Sequence, residues 1–265
     1  MIASTDFKLG GSGGRRKATL GRSGSDRDPS PAMGDGRAPL PEDARIDRGA
    51  PIPEQVYRIL RLAILTHRMP PGAIIVEKEI TERLGISRTP VRDAIRQLAD
   101  ERLVSIKPQS GTFVAPIDRR QLEEGRLIRR ALEVEGIKLA STHADGAAID
   151  RLADLVTLQE RAAQRGRHDD FIAYDDKFHE FISSLSGYAR LWPIINRSKA
   201  HLDRVRYLGS PLPHQEAKAI AQHKAILKAL ARRDPERAAK ALAYHLDDAY
   251  DRLAVVLKDQ AELFG

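Results

Sequence analysis

Apolar residues follow three different patterns along the chain. Residues 1–50 show no apolar period and are rich in Gly, Ser, Pro, Asp and Arg, which predicts a disordered tail. From Pro53 apolar side chains recur at helical spacing, and then at the alternating spacing of strands up to Pro116. From Gln121 onward long helical periods dominate. The pattern therefore predicts a tail over 1–50, a first domain over 51–116 and a helical domain over 121–260.

Two short helices joined by a tight turn are predicted within the first domain. The segment Glu77 to Leu84 is amphipathic and precedes Gly85, which can adopt the left-handed conformation at a helix end with little strain. Ser87 then occupies the position of an N-cap, and Pro90 falls in the first turn, where no backbone N–H is needed. The apolar residues of the second helix form one buried stripe, made of Val91, Ala94, Ile95 and Leu98.

The other face of this second helix carries the side chains expected to read DNA. Arg88, Arg92 and Arg96 follow one another at steps of four, and Thr89 lies beside the first of them. A recognition helix presents its N-terminal residues to base edges in this manner. The alternative is a solvated basic helix face, which a run of arginines alone would not exclude.

A β-hairpin is predicted directly after the recognition helix. Leu103 to Lys107 and Thr112 to Ala115 alternate in polarity, and the turn residues Pro108 to Gly111 join them. Gly111 permits a close approach of the backbone to a phosphate or to the minor groove. The helices and the hairpin together predict a winged helix-turn-helix.

The segment Tyr57 to Pro116 resembles the DNA-binding domain of the GntR family of bacterial transcription regulators. The resemblance is carried by the continuous stretch PPGAIIVEKEITERLGISRTPVRDAIRQLADERLVSIKPQSGTFV. It implies that the side chains matching the family's DNA contacts face DNA and that the wing tip enters the minor groove. Together with the helix pattern, it gives a predicted DNA-binding set of Lys78, Ser87, Arg88, Thr89, Arg92, Arg96, Ser110 and Gly111.

Charge and composition narrow the class of protein further. The 265-residue chain has a net charge of +7, which suits an anionic partner, and no cysteine, which excludes disulfides and thiolate metal sites. We find no apolar run long enough to span a membrane and no signal core after Met1, so we expect a cytoplasmic protein. The tail is expected to be a basic arm that contacts phosphates and is densest at Arg15, Arg16 and Lys17. The alternatives are an inert tail, or a sequence that natively starts at Met33.

The C-terminal half is predicted to be an antiparallel bundle of roughly six helices, because short connections favour antiparallel neighbours. The helical periods break at His143 to Gly146, Arg165 to His168, Ser186 to Tyr188, Gly209 to Pro213, and Asp234-Pro235. The whole chain is therefore predicted to be mainly α, with an N-terminal winged helix-turn-helix and a C-terminal all-α bundle.

Four polar residues occupy positions in this bundle where apolar ones are expected. Asp175 and His179 share the inward face of one predicted helix, one turn apart, while His223 and His245 lie in the apolar stripes of two others. Burying several titratable groups is costly unless they share a partner, and a divalent cation can be that partner. Three imidazoles with one carboxylate suit zinc, nickel, iron or manganese. The alternative is a set of hydrogen-bonded core histidines with no metal.

The region Gln121 to Leu253 resembles the FCD effector domain of the FadR-type branch of GntR regulators. The words that carry the resemblance are IRRALEVEGIKLAS, DDKFHEFISSLSG and AQHKAILKALARRDPERAAKALAYHL. In metal-binding members of this branch the positions matching Asp175, His179, His223 and His245 hold a divalent metal, against which a carboxylate effector binds. Gln222 replaces a glutamate that is common before the third of these positions, and the substitution is expected to loosen support for His223.

Arg129 is the further candidate for binding the effector. It shares a helical face with Leu132 and Gly136, and the resemblance implies that it faces the effector cavity. A guanidinium group can hold a carboxylate through two parallel hydrogen bonds. The alternative is an ion pair between Arg129 and either Glu133 or Asp175.

The leading hypothesis is a homodimeric, effector-controlled transcription regulator that acts as a repressor and binds a palindromic operator in double-stranded DNA. A small organic acid bound at the metal would shift the placement of the two DNA-binding heads. One alternative is a direct metal sensor. Another is a metal-dependent enzyme fused to a DNA-binding head, but the sequence contains no nucleophile motif and no separate acid or base pair. We therefore expect a protein that is not an enzyme.

Overall fold

The computed structural model describes residue 36 and residues 40–208 and 213–259. It is mainly helical with one small sheet, which confirms the predicted fold class. Within the described residues, no helix combines the length and the apolar character needed to cross a membrane.

The first domain is a winged helix-turn-helix. Its sheet is antiparallel in the order β1-β3-β2, with Val104 opposite Val114 and Ile74 opposite Phe113. The elements are α1 (Ile52–Leu65), β1 (Ile74–Ile75), α2 (Glu77–Leu84), α3 (Arg88–Asp100), β2 (Val104–Lys107) and β3 (Gly111–Val114).

Local chemistry explains most of these boundaries, with three corrections. Gly85 ends α2 at φ 62° and ψ 41°, as its position predicted. Ser87 stands at the N-cap of α3, but its side chain makes no capping hydrogen bond, so that part of the prediction is wrong. Strand β1 was not predicted, because two residues are too short a run to show alternation, and Gly111 belongs to β3 rather than to the turn.

The helical half contains seven helices among the described residues, one more than predicted. The additional boundary separates α7 from α8 at Lys199, where no Gly or Pro marks a break. Helix α4 also begins two residues earlier than predicted, because Asp118 caps it by accepting from the backbone N–H of Arg120. The helices are α4 (Arg119–His143), α5 (Gly146–Gln164), α6 (His168–Leu185), α7 (Leu191–Ser198), α8 (Ala200–Leu208), α9 (Pro213–Ala231) and α10 (Pro235–Asp259).

The last part of the predicted tail is packed on the first domain. Leu40 and Ile46 contact its apolar core and Ala44 is buried. The backbone N–H of Asp47 also donates to Gln55 Oε1 at 2.8 Å. The prediction of disorder is therefore wrong for residues 40–50. The predicted basic arm at residues 15–17 lies outside the described residues.

Helix α8 joins the helical half to the first domain. Ala200 belongs to the apolar core of the first domain, and Tyr207 packs against that core. His67 Nε2, just after α1, lies 2.8 Å from the carbonyl oxygen of Arg204. Nearby, Arg61 of α1 pairs with buried Glu101 at 2.8 Å. The chain therefore places one helix in contact with both halves.

Candidate functional site

The residues predicted to bind DNA lie on α2, at the N-cap and along the exposed face of α3, and at the tip of the hairpin formed by β2 and β3. All of them are exposed, namely Lys78, Ser87, Arg88, Thr89, Arg92, Arg96, Ser110 and Gly111. The buried stripe of α3 faces the core of the domain, so the arginine face remains accessible. An exposed basic helix of this kind can enter a major groove.

Ion pairs on this surface are weak enough to be exchanged for contacts with DNA. Arg92 Nε lies 2.9 Å from Glu77 Oε2, and Arg96 Nη1 lies 3.5 Å from Asp93 Oδ1. Both arginine side chains are more than half exposed, and exposed pairs are worth only about 0–1 kcal/mol. Arg88 has no carboxylate partner within the part of the chain that the structure describes.

The four predicted metal ligands meet in the interior of the helical half. Asp175 and His179 come from α6, His223 from α9 and His245 from α10, and one ligand atom from each lies within 4.8 Å of the others. All four side chains are buried. His223 Nε2 is 3.5 Å from Asp175 Oδ1 and 3.2 Å from His245 Nε2, while His179 Nε2 is 3.9 Å from Asp175 Oδ2.

Each histidine places its Nδ1 atom against a side-chain oxygen from another part of the bundle. The pairs and their N–O distances are His179 with Glu133 (2.5 Å), His223 with Gln159 (2.7 Å) and His245 with Gln222 (2.9 Å). An acceptor at Nδ1 holds the proton on that nitrogen and leaves a lone pair on Nε2. All three Nε2 atoms consequently face the centre of the cluster.

The two glutamines are themselves held in the orientation that this requires. Gln159 Nε2 donates to the carbonyl oxygen of Tyr174 at 3.3 Å, and Gln222 Nε2 donates to Asp248 Oδ2 at 2.9 Å. Because the amide nitrogen of each side chain has its own acceptor, the amide oxygen is directed to the histidine. Gln222 therefore supports His245 while Gln159 supports His223, and the expectation that the glutamine at 222 loosens support for His223 is wrong.

This arrangement fits a divalent cation. Burial lowers the pKa of His223 to about 3, and it lowers the pKa of His245 as well, so both rings are neutral near pH 7. Two lone pairs then face each other across 3.2 Å, which is unfavourable without a positive group between them. His179 Nε2 is buried and has no hydrogen-bond partner among the described residues.

Asp175 adds the negative charge to this set of ligands. Burial would raise its pKa, but the Arg206 guanidinium and the neighbouring histidines outweigh burial and hold that pKa well below its ordinary value. Arg206 Nη2 donates to Asp175 Oδ2 at 2.7 Å. Three imidazoles and one ionised carboxylate form a donor set suited to zinc, nickel, iron or manganese.

Arg129 lies beside this cluster and has one free nitrogen. Its Nε atom donates to Glu133 Oε1 at 2.6 Å, so the alternative of an ion pair with Glu133 is present in the structure. Its Nη2 atom is buried and without a partner among the described residues. Burial would raise the pKa of Glu133, but Arg129 and His179 outweigh burial and lower it to about 2. Glu133 therefore positions both Arg129 and His179.

A cavity of about 120 Å³ opens next to Arg129 and the histidine cluster. Its wall includes Arg129, Asp175, Arg206 and His245, which are polar groups of the cluster and its surroundings. Most of its other lining residues are apolar, and the rest include Arg126, Arg130 and Arg252, of which the first two are partly exposed. A cavity of this composition can hold a small acid against the cluster.

Comparison with known proteins assigns both halves of the chain. Residues 52–114 match the bacterial regulatory proteins of the gntR family, and residues 126–248 match the FCD domain. The HTH-type transcriptional repressor RspR of Escherichia coli (strain K12) is 30% identical over 223 residues, covering 84% of this chain and 98% of RspR. The chain belongs to the GntR family. It is a DNA-binding transcription regulator with an FCD domain, and the prediction that it is not an enzyme is confirmed.

Solved structures of GntR regulators share the fold. E. coli McbR/YncC superimposes with a TM-score of 0.70 at 24% identity, covering 79% of this chain and 99% of that one. A transcriptional regulator GntR from Rhodococcus sp. RHA1 gives a TM-score of 0.64 at 26% identity, covering 76% and 97% of the two chains.

Three residues of the candidate site in this GntR regulator were not predicted for the roles that the structure suggests. Glu133 was considered only as an ion-pair partner of Arg129, although its spacing of four residues from Arg129 on α4 is a usable signal. Gln159 is the polar member of the buried stripe of α5, which is also a signal. Arg206 carries no such signal, because its helix follows the break at Lys199 that the sequence does not mark.

Proposed function

We propose that this GntR regulator is a cytoplasmic, homodimeric repressor of a palindromic operator. In this proposal a small organic acid controls operator affinity by binding at a divalent metal held by Asp175, His179, His223 and His245. The similarity to RspR, a transcriptional repressor, supports the role of repressor. The surface on α2, α3 and the wing would bind DNA.

The observation that carries the proposal is that three histidine Nε2 atoms and one carboxylate oxygen surround a common point in the interior. Each Nδ1 atom has its own buried side-chain acceptor, which directs Nε2 toward the cluster, and His179 Nε2 has no hydrogen-bond partner among the described residues, whereas a packed core histidine would require one. When bound, the cation would act as a Lewis acid that attracts a carboxylate oxygen. Arg129 Nη2, which has no partner among the described residues, can donate to the same carboxylate.

Helix α8 supplies a physical route from this site to the DNA-binding head. Arg206 bonds Asp175 directly, and Ala200 on the same helix packs into the core of the first domain. A ligand that changes the contacts of Asp175 or Arg206 would therefore act on a helix that contacts the head. Such coupling between two sites is commonly worth about 5–150-fold in affinity, and it is reciprocal.

The test measures operator affinity by fluorescence anisotropy in four states: metal-stripped and metal-loaded full-length protein, each with and without acid. We expect the acid to change affinity only in metal-loaded protein. His223→Ala, which removes one ligand, should abolish the response to acid, while the matched surface change His143→Ala should retain it.

The same experiment separates the alternatives. A direct metal sensor would show an affinity that responds to metal alone and ignores every acid. An acid response that persists in metal-stripped protein and in His223→Ala would contradict the role of the metal. Sedimentation of the full-length protein tests the dimer, and a monomer at operator-binding concentrations would overturn that part.

A further inference from the structure

We propose that the effector is a dianion, with a second acidic group that binds a cationic mouth formed by Arg126, Arg130 and Arg252. The inference rests on the proposed function, in which the first carboxylate binds at the metal and Arg129. It adds a second subsite and narrows the class of ligand to short-chain acids with negative groups at both ends.

The mouth of the cavity contains more cations than carboxylates. Arg126 Nη2 lies 3.2 Å from Asp247 Oδ1, and Arg130 Nε lies 3.0 Å from the same oxygen, so two guanidinium groups share one carboxylate. Arg126 also stacks on the ring of Tyr250 at 4.3 Å, which fixes its plane at the wall. One positive charge therefore remains uncompensated in this pair.

A second carboxylate is also shared by two cationic side chains, which leaves another positive charge in excess. Asp248 pairs with both Arg252 and Lys218, the lysine at 2.5 Å. Arg252 is on the wall of the cavity, as are Arg126 and Arg130. An anionic group entering the mouth would complete the coordination of these side chains, because a guanidinium fork can bond two acceptors.

The wall also carries a polar pair, in which His168 Nδ1 lies 2.9 Å from Glu216 Oε1. Its larger apolar side chains among the described residues include Phe171, Ile172, Leu202, Leu246 and Leu253. A hydrocarbon segment would lie against these side chains without leaving polar groups unsatisfied. Arg129 is more deeply buried than Arg126 and Arg130, so the buried cluster, the apolar side chains and the cationic mouth together suit an acid whose two charged ends are separated by methylene groups.

The spacing on α4 limits the length of that segment. Arg126 and Arg129 are three residues apart, which is a rise of about 4.5 Å along the helix. The side chain of Arg129 is 10% exposed whereas that of Arg126 is 41% exposed, so the two lie at different depths. The cavity of about 120 Å³ is comparable to one of about 150 Å³ that holds benzene. Short diacids meet both limits.

The test is calorimetric titration of zinc-loaded full-length protein with pairs of straight-chain acids of equal carbon number. The pairs are butanoate with succinate, pentanoate with glutarate and hexanoate with adipate, and a phosphonate-terminated acid tests whether the second group must be a carboxylate. We expect at least one diacid to bind about tenfold more tightly than its monoacid, the gain of one charge-assisted contact.

Substitutions of single arginines test where the second acidic group of the effector binds. Arg130→Gln should reduce the ratio of diacid to monoacid affinity toward one, whereas Arg130→Lys should keep part of it. Arg120→Gln removes the same charge from an exposed position on α4 that is not on the cavity wall, and it should keep the full ratio.

The outcomes distinguish this inference from the proposed function. Equal affinity for monoacids and diacids would overturn the second subsite while leaving the metal-bound acid in place. Absence of binding by every acid to zinc-loaded protein would overturn both. A preference for diacids that survives Arg130→Gln and Arg126→Gln would contradict the location of the second group.

Discussion

Replacement of Gln159 by leucine tests whether the hydrogen bond at Nδ1 prepares His223 to bind a metal. The side chain of Gln159 is fully buried, and its Oε1 atom accepts from His223 Nδ1 at 2.7 Å. Leucine offers no acceptor. The imidazole must then either leave a buried N–H unsatisfied, at a cost of about 1–3 kcal/mol, or move its proton to Nε2 and lose the lone pair directed at the cluster.

Either response weakens metal binding. Loss of a hydrogen-bond partner behind a metal ligand commonly lowers affinity by about 10–100-fold, which corresponds to about 1.4–2.7 kcal/mol. The assay is a competition titration of metal-stripped protein with zinc and a chelating dye, with the His223 tautomer followed by nitrogen NMR. Circular dichroism verifies that the variant remains folded.

Two further variants make the result specific. Gln164→Leu changes an exposed glutamine on the same helix and should bind zinc as the wild type does. Gln159→Glu keeps an acceptor oxygen and should recover most of the affinity. Wild-type zinc affinity in a folded Gln159→Leu protein would refute the reasoning, because it would mean that His223 needs no fixed tautomer.

Three other predictions concern the remainder of the chain. Arg92→Ala should weaken operator binding by about 1–3 kcal/mol at fixed salt without changing helix content, and unchanged affinity in anisotropy titrations would exclude its role. Gly125→Ala should destabilise the protein by about 1–3 kcal/mol in urea, because an added Cβ would lie 2.3 Å from the carbonyl oxygen of Ser198. Burial lowers the pKa of His67 from 6.5 to about 4, so the unfolded state binds more protons between these values. Stability should therefore fall as pH falls through this window, by at most about 1.4 kcal/mol per pH unit for this group, and His67→Gln should reduce that slope.

The DNA-binding head could be predicted from the sequence because its signals are local. Gly85, Pro90 and the stripe of α3 each act within one turn of their own position, and the structure places α2 at the predicted residues. The prediction failed at Ser87, which is the N-cap of α3 but makes no capping hydrogen bond with its side chain. A residue type fixes what a side chain can do, but the surrounding backbone decides whether its oxygen reaches an N–H group.

The helical half was less predictable because its decisive contacts are distant in sequence. The break at Lys199 coincides with ion pairs from its Nζ atom to Asp176 at 2.8 Å and to Asp203 at 2.6 Å. Asp203 lies on α8, close to Lys199 in sequence, whereas Asp176 lies on α6. Nothing in the sequence near Lys199 indicates that Asp176 is its neighbour. Tertiary contacts of this kind override local helix propensity.

The candidate site shows the same difference between local signals, which the sequence reveals, and contacts between distant residues, which it does not. Periodicity was sufficient to group Asp175, His179, His223 and His245, since each disrupts an apolar stripe, and their ligand atoms lie within 4.8 Å of one another. The partners of these residues depend on which helices are neighbours. Gln222 is adjacent to His223 in sequence and yet bonds His245, because successive residues of a helix point in different directions.

Metal content per chain is the measurement that tests the central claim most directly. Full-length protein, purified without chelator or added metal, would be analysed by plasma mass spectrometry alongside His223→Ala and the surface control His143→Ala. The account predicts about one divalent metal per chain in the wild type and in the control, and a large loss in His223→Ala. Metal-free wild-type protein that also fails to bind zinc, nickel, iron or manganese on titration would contradict it.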